Sequence, residues 1–238
     1  MQTPEINDVS FDLRKGEILG FSGLVGSGRT ALFEAICGLE PYESGQIFVD
    51  GVETHCKSVA EARDAGITYL TKDRKGKGLL LQQTMRPNLS LFALPKFVKN
   101  FMMDTDAEEA ALKRGIRRFD IRARDPKVLV GDMSGGNQQK LLLAKTMECE
   151  PRILIIDEPT RGIDVGTKQQ IYHFIAALAA DGMSVVVISS EMPEIIGVCH
   201  RVAVMREGRI TGFVSGSEIN ETEIVRYAAG LKEAPAHV

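Results

Sequence analysis

The sequence predicts an α/β fold with a parallel sheet, an antiparallel edge and an inserted, mainly helical stretch, and three observations predict it. The apolar residues Ile18, Leu19, Gly20 and Phe21 lead into Gly23-Leu24-Val25-Gly26-Ser27-Gly28-Arg29-Thr30, after which a helix-forming run extends through Cys37. Strand-length aliphatic runs at 153–156 and 185–188 alternate with helical patterns late in the chain, as βα units around a parallel sheet do. Between them and the first strands, residues 82–149 carry a mainly helical pattern. With 238 residues, 44% hydrophobic and 26% charged, the chain can bury a full core, which excludes disorder.

Taken in order, residues 7–11 end a strand, with Val9 and Phe11 alternating, and Arg14-Lys15-Gly16-Glu17 turns the chain into the strand that feeds the glycine-rich loop. After the first helix, residues 38–45 are turn-rich, and Gln46-Ile47-Phe48-Val49 followed by Asp50-Gly51 and Val52 signals a hairpin. Ser58 caps a short helix over 59–65, and residues 67–70 form a buried strand. From Met85 to Arg122 the pattern is helical in two segments. One carries Leu89, Phe92 and Leu94; the other, 107–119, has Glu108 and Glu109 early and Arg117 and Arg118 late, the order a helix dipole favours. Met85, Phe92, Phe97, Phe101, Met102 and Met103 read as core, with a partner-binding face as the alternative. Another helix ends near Cys149. A strand at 153–156, a helix over 165–180, a strand at 184–189, a short helix near Ile195 and a strand at 201–205 follow. Glu207-Gly208 then turns the chain into a returning strand at 210–214, residues 221–231 form a small helix, and 232–238 are expected to be loose.

Gly23, Gly26, Ser27, Gly28, Arg29 and Thr30 read as a phosphate-binding loop. Glycines let backbone N–H groups turn onto an anion, the helix start adds its positive dipole end, and the Thr30 hydroxyl is placed to ligate magnesium. The competing reading is a glycine-rich strand-to-helix turn with no ligand. Arg29 departs from the motif, which wants Lys. A planar fork cannot occupy the place of a compact ammonium, so nucleotide binding is expected to persist and hydrolysis to weaken.

Asp157 and Glu158 end the aliphatic run at 153–156. Alone they are an ordinary acidic turn. Beside a phosphate loop, Asp157 holds magnesium through its waters and Glu158 orients the attacking water. In Met133-Ser134-Gly135-Gly136-Asn137-Gln138-Gln139-Lys140 a cap explains Ser134. Two glycines in a first helical turn cost about 1 kcal/mol each relative to Ala, and close approach of an anion explains them. Thr71-Lys72-Asp73-Arg74-Lys75-Gly76-Lys77-Gly78, a basic loop at the carboxyl end of a strand, reads either as a ligand loop or as a solvated charge run.

No aliphatic run approaches the ~20 residues that cross a bilayer, so any membrane role is peripheral. Met1-Gln2-Thr3-Pro4 lacks the basic-then-apolar pattern of a secretory signal, which places the chain in the cytoplasm. Cys37, Cys56, Cys149 and Cys199 lie far apart and share no metal spacing with the four His residues, so free thiols are expected, three of them in apolar surroundings. A net charge of −3 and the absence of Trp argue against a nucleic-acid surface.

The order of phosphate loop, Ser-Gly-Gly motif and aliphatic run with Asp-Glu resembles the nucleotide-binding domain of an ABC transporter. Arg29, Asp73-Arg74-Lys75, Ser-Gly-Gly-Asn-Gln-Gln-Lys, Asp157-Glu158-Pro159-Thr160-Arg161-Gly162-Ile163-Asp164 and Ser189-Ser190-Glu191-Met192-Pro193-Glu194 narrow the resemblance to the C-terminal ATPase half of bacterial monosaccharide importers. It implies one RecA-like P-loop NTPase domain over 1–238, with its core near 1–81 and 150–215, a helical subdomain near 82–149 and a C-terminal segment at 216–238. It also implies ATP and Mg2+ as cofactors, Glu158 as the catalytic residue, and Ser134, Gly135, Gly136 and Asn137 as a signature acting in trans on a second ABC ATPase domain, with Asp164 at the dimer contact.

The implied activity is ATP-driven sugar import at the cytoplasmic face of the inner membrane. The implied partners are transmembrane permease subunits, docking near the basic loop and the helical subdomain, and through them a sugar-binding protein; nucleic acid is not among them. Three further departures from the family matter. Ser190 stands in place of a switch His, Lys72 in place of Gln or Glu, and the leading strand and adenine-stacking aromatic expected around Met1 are absent from Met1-Gln2-Thr3-Pro4, which suggests an excised fragment or a gene beginning late. Two rival readings are a non-hydrolysing, nucleotide-dependent interaction module and a soluble ABC ATPase acting on DNA or ribosomes.

Overall fold

The apolar run after Glu17 forms β1 (Ile18–Gly23), and the glycine-rich loop hands it directly to α1 (Arg29–Ile36). This arrangement comes from the computed structural model of the chain, which describes residues 6–123 and 125–232. β2 (Phe48–Val49) and β3 (Val52–Glu53) pair antiparallel through Asp50 and Gly51, whose φ values of 51° and 79° are those of the turn that suits a two-residue hairpin. Ser58 caps α2 (Val59–Asp64) by accepting the Glu61 N–H at 3.3 Å, and β4 (Ile67–Leu70) follows. Further on come α3 (Met85–Ser90), β5 (Val98–Lys99), β6 (Met102–Met103), α4 (Thr105–Arg118) and α5 (Gly135–Met147). β7 (Ile153–Asp157), α6 (Val165–Ala180), β8 (Ser184–Ile188), α7 (Met192–Val198), β9 (Arg201–Arg206), β10 (Arg209–Ser215) and α8 (Glu221–Ala228) complete the alternation.

Two compact units result. The first takes the chain to Tyr69, Arg152–Pro159 and the chain from Tyr172 onward; the second takes Leu70–Pro151 and Thr160–Ile171. The first unit is built on a sheet of order β10-β9-β1-β8-β7-β4, in which β9, β1, β8 and β7 run parallel and β10 closes the edge antiparallel. Central parallel strands are covered on both faces, which is why β8 is buried at every position and apolar from Val185 to Ile188. Phe21 packs edge-on against Phe11 and Phe33, with ring centroids at 5.1 and 4.7 Å, inside a core that also holds Leu19, Ile155 and Val186.

In the second unit α3, α4 and α5 pack on one another, and Gly115 of α4 sits where a Cβ would lie 3.4 Å from Leu89 and 3.5 Å from Ala144, ordinary contact distances. Gly115→Ala is therefore expected to stabilise the chain by up to about 1 kcal/mol through helix propensity. A urea midpoint that falls instead of rising would show that these helices need the closer approach.

The structure departs from the sequence reading in several places. No strand forms over residues 7–11 among the described residues: Asp8 has φ of 50°, which breaks an extended run, although Val9 and Phe11 still pack on the core. The helical expectation over 85–122 is interrupted by the β5–β6 hairpin, whose turn residues Asn100 and Phe101 both have positive φ. Met85 and Phe97 are buried as expected, but Phe101, Met102 and Met103 are exposed on that hairpin and are not core. Lys232, expected to be loose, has its ammonium 2.7 Å from Glu223 Oε2. The rest of that expectation, residues 233–238, and the expectation on Met1-Gln2-Thr3-Pro4 lie outside the described residues. All four cysteines are free thiols; Cys37, Cys56 and Cys199 are buried, and burial pushes Cys37 up to about 12. No helix among the described residues is long and apolar enough to cross a membrane.

Candidate functional site

Backbone geometry shapes the loop between β1 and α1. Gly23 has φ of 147°, and a Cβ there would lie 2.2 Å from the Met205 carbonyl oxygen, so only glycine fits. Gly28 at the start of α1 has φ of 98° and provides no side-chain cap, so no side chain of the cap residue stands between the helix start and an anion. The Ser27 N–H donates to the Leu24 carbonyl at 3.0 Å, and the Gly208 N–H donates to the Ser27 carbonyl at 3.0 Å, which ties the loop to the β9–β10 turn.

Thr30 and the end of β7 meet beneath this loop. The Thr30 hydroxyl donates to Asp157 Oδ2 at 2.9 Å, and the Tyr69 hydroxyl donates to the same oxygen at 2.8 Å. Burial first, and the Asp157 charge second, push the Tyr69 phenol above its ordinary value, which keeps it a donor. Asp157 is 1% exposed, and its Oδ1 is buried without a hydrogen-bond partner. A buried carboxylate oxygen left unmet is costly. A hydroxyl beside an unmet carboxylate oxygen is a hard donor set of the kind Mg2+ takes when phosphates and waters complete its shell, so the residues present fit that ion. Groups of three or more His, Cys, Asp or Glu able to hold a metal by themselves are absent among the described residues.

Glu158 adopts φ of 51°, a strained backbone for a non-glycine residue, and its carboxylate is taken up by Ser190: Oε1 accepts the Ser190 N–H at 2.9 Å and Oε2 the Ser190 hydroxyl at 3.1 Å. Arg29 reaches the same segment from the other side, its guanidinium donating to the Ser189 carbonyl at 2.6 Å. The Ser189 carbonyl and the Ser190 N–H belong to one peptide group, so Arg29 and Glu158 grip it from opposite ends. Burial pulls Arg29 below its ordinary value, while the Glu158 and then the Asp157 charges act the other way.

The remaining sequence candidates lie in the second unit. Ser134 caps α5, accepting from the Asn137 N–H at 3.4 Å and the Asn137 side-chain amide at 3.0 Å, while Asn137 Oδ1 accepts the Arg122 N–H at 2.8 Å. Asp164 caps α6 through the Thr167 N–H and hydroxyl at 2.9 and 2.8 Å, bonds that hold its carboxyl below the usual value. Ser134, Asn137, Asp164, Arg122, Lys140 and Gln170 line a polar cavity of about 250 Å³. The folded chain adds a second reason for the glycine pair beside the anion: a Cβ on Gly136 would lie 2.8 Å from the Thr167 hydroxyl and one on Gly135 3.1 Å from the Gly162 carbonyl, so packing within this unit also favours glycine at both positions.

Lys72 is exposed, whereas Arg74 of the same loop turns inward, onto Gln139 Oε1 at 3.0 Å, Gln138 Oε1 at 3.3 Å and the Arg161 carbonyl at 3.4 Å. Lys145 holds the loop's other end, its ammonium 2.8 Å from the Gly78 carbonyl; burial draws its pKa down to about 8.

Tyr69 and the inward Arg74 escaped the sequence reading. The available signals were a phenol in the short buried strand before the basic loop, and two adjacent glutamines at the start of a helix with no apolar reason to be buried.

The chain matches the family described as ABC transporter over residues 6–161. It is 41% identical over 232 residues to the Ribose import ATP-binding protein RbsA of Lactococcus lactis subsp. cremoris (strain SK11), which covers 98% of this chain and 47% of that protein. It is 43% identical over 231 residues to the Ribose import ATP-binding protein RbsA 2 of Rhizobium etli, covering 97% of this chain and 46% of the relative. The chain thus spans about half the length of the curated relatives it matches. Among solved structures it resembles a nucleotide-free ATP-binding cassette from an ABC transporter, with TM-score 0.79 and 20% identity over 92% of this chain and 88% of that one. It also resembles a dimeric, post-hydrolysis ATP-binding cassette bound to ADP and Pi, with TM-score 0.77 and 20% identity over 88% and 90% of the two chains. At that identity these structures speak for the fold.

Proposed function

Because this chain belongs to the ABC transporter family, we propose that it is a single ABC ATPase domain that binds Mg-ATP and helps to energise sugar import, as one half of a longer two-domain ATPase. The observation that carries the reading is the Thr30–Asp157 pair set beneath a glycine loop, with Glu158 next in sequence. Gly26 and Gly28 offer backbone N–H groups to the phosphates, Gly23 and Ser27 shape the loop that carries them, Arg29 supplies positive charge, and Thr30 and Asp157 would hold the ion. Bound there, Mg2+ offsets the charge of the phosphate oxygens. Glu158 is the residue that orients the attacking water. Ser134, Gly135, Gly136 and Asn137 complete the nucleotide site of a partner half, and Asp164 lies at the contact with it.

Sugar import rests on the identity to ribose import ATP-binding proteins along nearly the whole chain. Its partners would be permease subunits at the cytoplasmic face of the membrane and, through them, a sugar-binding protein. A second reading, a module that binds nucleotide and hardly hydrolyses it, is favoured by the occupation of Glu158 by Ser190 and of Arg29 by Ser189. Both readings expect one ATP per chain by isothermal titration and a monomer at micromolar concentration in sedimentation. Absence of ATP binding, or a stable dimer without nucleotide, overturns the assignment of this half.

A further inference from the structure

We propose that Tyr69 is a positioning residue for the metal-binding carboxylate: its hydroxyl holds Asp157 in the orientation that keeps Oδ1 available to the waters of a magnesium ion, an inference that rests on the Mg-ATP site proposed above. Two hydroxyls converge on one carboxylate oxygen. Thr30 and Tyr69 donate to Oδ2 at 2.9 and 2.8 Å, while Oδ1 of the same group is buried and accepts no hydrogen bond. The two oxygens of a carboxylate are chemically equal, so the asymmetry is set by the surroundings. Turning the group about its Cβ–Cγ bond would break two charge-assisted hydrogen bonds, which are stronger than neutral ones.

The donors differ in kind. Thr30 belongs to the phosphate loop and is itself placed to ligate the ion; a threonine hydroxyl that turns to the metal weakens its hold on Asp157. Tyr69 comes from β4, next to β7 in the sheet, and its ring packs against the hydrophobic core, so its hydroxyl is fixed by a body that does not depend on the nucleotide. Core packing alone would be served by Phe. The hydroxyl adds one thing, a directional bond to Asp157. Partners of this kind behind a metal ligand typically change metal affinity 10- to 100-fold.

The test compares ATP affinity of the unmodified chain and Tyr69→Phe by isothermal titration, once in EDTA and once across a Mg2+ series, with Mn2+ paramagnetic resonance of the nucleotide complex as a direct reading of the ion. The expected result is metal-free ATP affinity within about twofold of the unmodified chain, and a Mg2+ requirement raised at least about tenfold. An unchanged Mg2+ requirement overturns the proposal and leaves the nucleotide site standing. Equal loss of affinity with and without metal also overturns it, because the hydroxyl would then serve the fold. If the unmodified chain binds ATP with no response to Mg2+, the proposal falls together with the Mg-ATP reading.

Discussion

Replacing Arg29 by Lys and Ser190 by His in the same chain is expected to raise ATP turnover at least about tenfold, measured at protein concentrations that force self-pairing across Ser134, Gly135, Gly136 and Asn137. The reason is the grip on one peptide group. Glu158 spends both carboxylate oxygens on Ser190, and Arg29 spends its guanidinium on the Ser189 carbonyl, so neither is free for the role proposed above, orienting water for Glu158 and meeting phosphate for Arg29. Lysine returns a compact ammonium to the phosphate loop. Histidine removes the short hydroxyl from Glu158 Oε2 and brings an imidazole that can reach the γ-phosphate.

A positioned catalytic group contributes roughly 10²- to 10⁴-fold, and each tenfold is about 1.4 kcal/mol of barrier. Because both changes act on the 189–190 peptide, they are coupled, and the double variant is expected to exceed the product of the single ones. Adding Glu158→Gln should remove the gain. A chain that is already a competent ATPase unmodified, or a double variant that binds Mg-ATP and dimerises without any increase, would refute the idea.

Arg74→Ala is expected to cost the isolated chain about 2 kcal/mol of stability. A hydrogen bond from a charged group nets about 1.5–3 kcal/mol, and Arg74 makes three such contacts, discounted here because the side chain is partly exposed. Its loss also strands the carbonyl oxygens of Gln138 and Gln139, each 3% exposed. Lysine at this position should recover less than half of the loss, since a single ammonium cannot match a planar fork that meets three acceptors. Urea unfolding gives the magnitude, and hydrogen exchange over 135–147 gives its location. A cost under about 0.5 kcal/mol, the scale of an exposed surface charge, would mean that Arg74 is merely solvated.

From the sequence alone, the alternation of strands and helices, the glycine-rich loop between β1 and α1 and the Asp157-Glu158 strand end could all be read, because each is written in local pattern: runs of apolar residues, glycines where a chain must turn, a cap before a helix. Tertiary structure decided what local pattern does not encode. Asp8 breaks the expected first strand with one backbone angle, and positive φ at Asn100 and Phe101 folds a hairpin into an apparent helical stretch. Arg74, one cation among several in a basic loop, is turned inward by acceptors that arrive from residues 64 to 87 positions away. Gly135 and Gly136 pack closely on Gly162 and Thr167, neighbours that the sequence leaves well downstream. Tyr69 and Asp157 are separated by 88 positions and meet only because the sheet sets β4 beside β7. Local chemistry names the groups a site can use; which of them are free, and which are already spent on each other, depends on distances that only the folded chain defines.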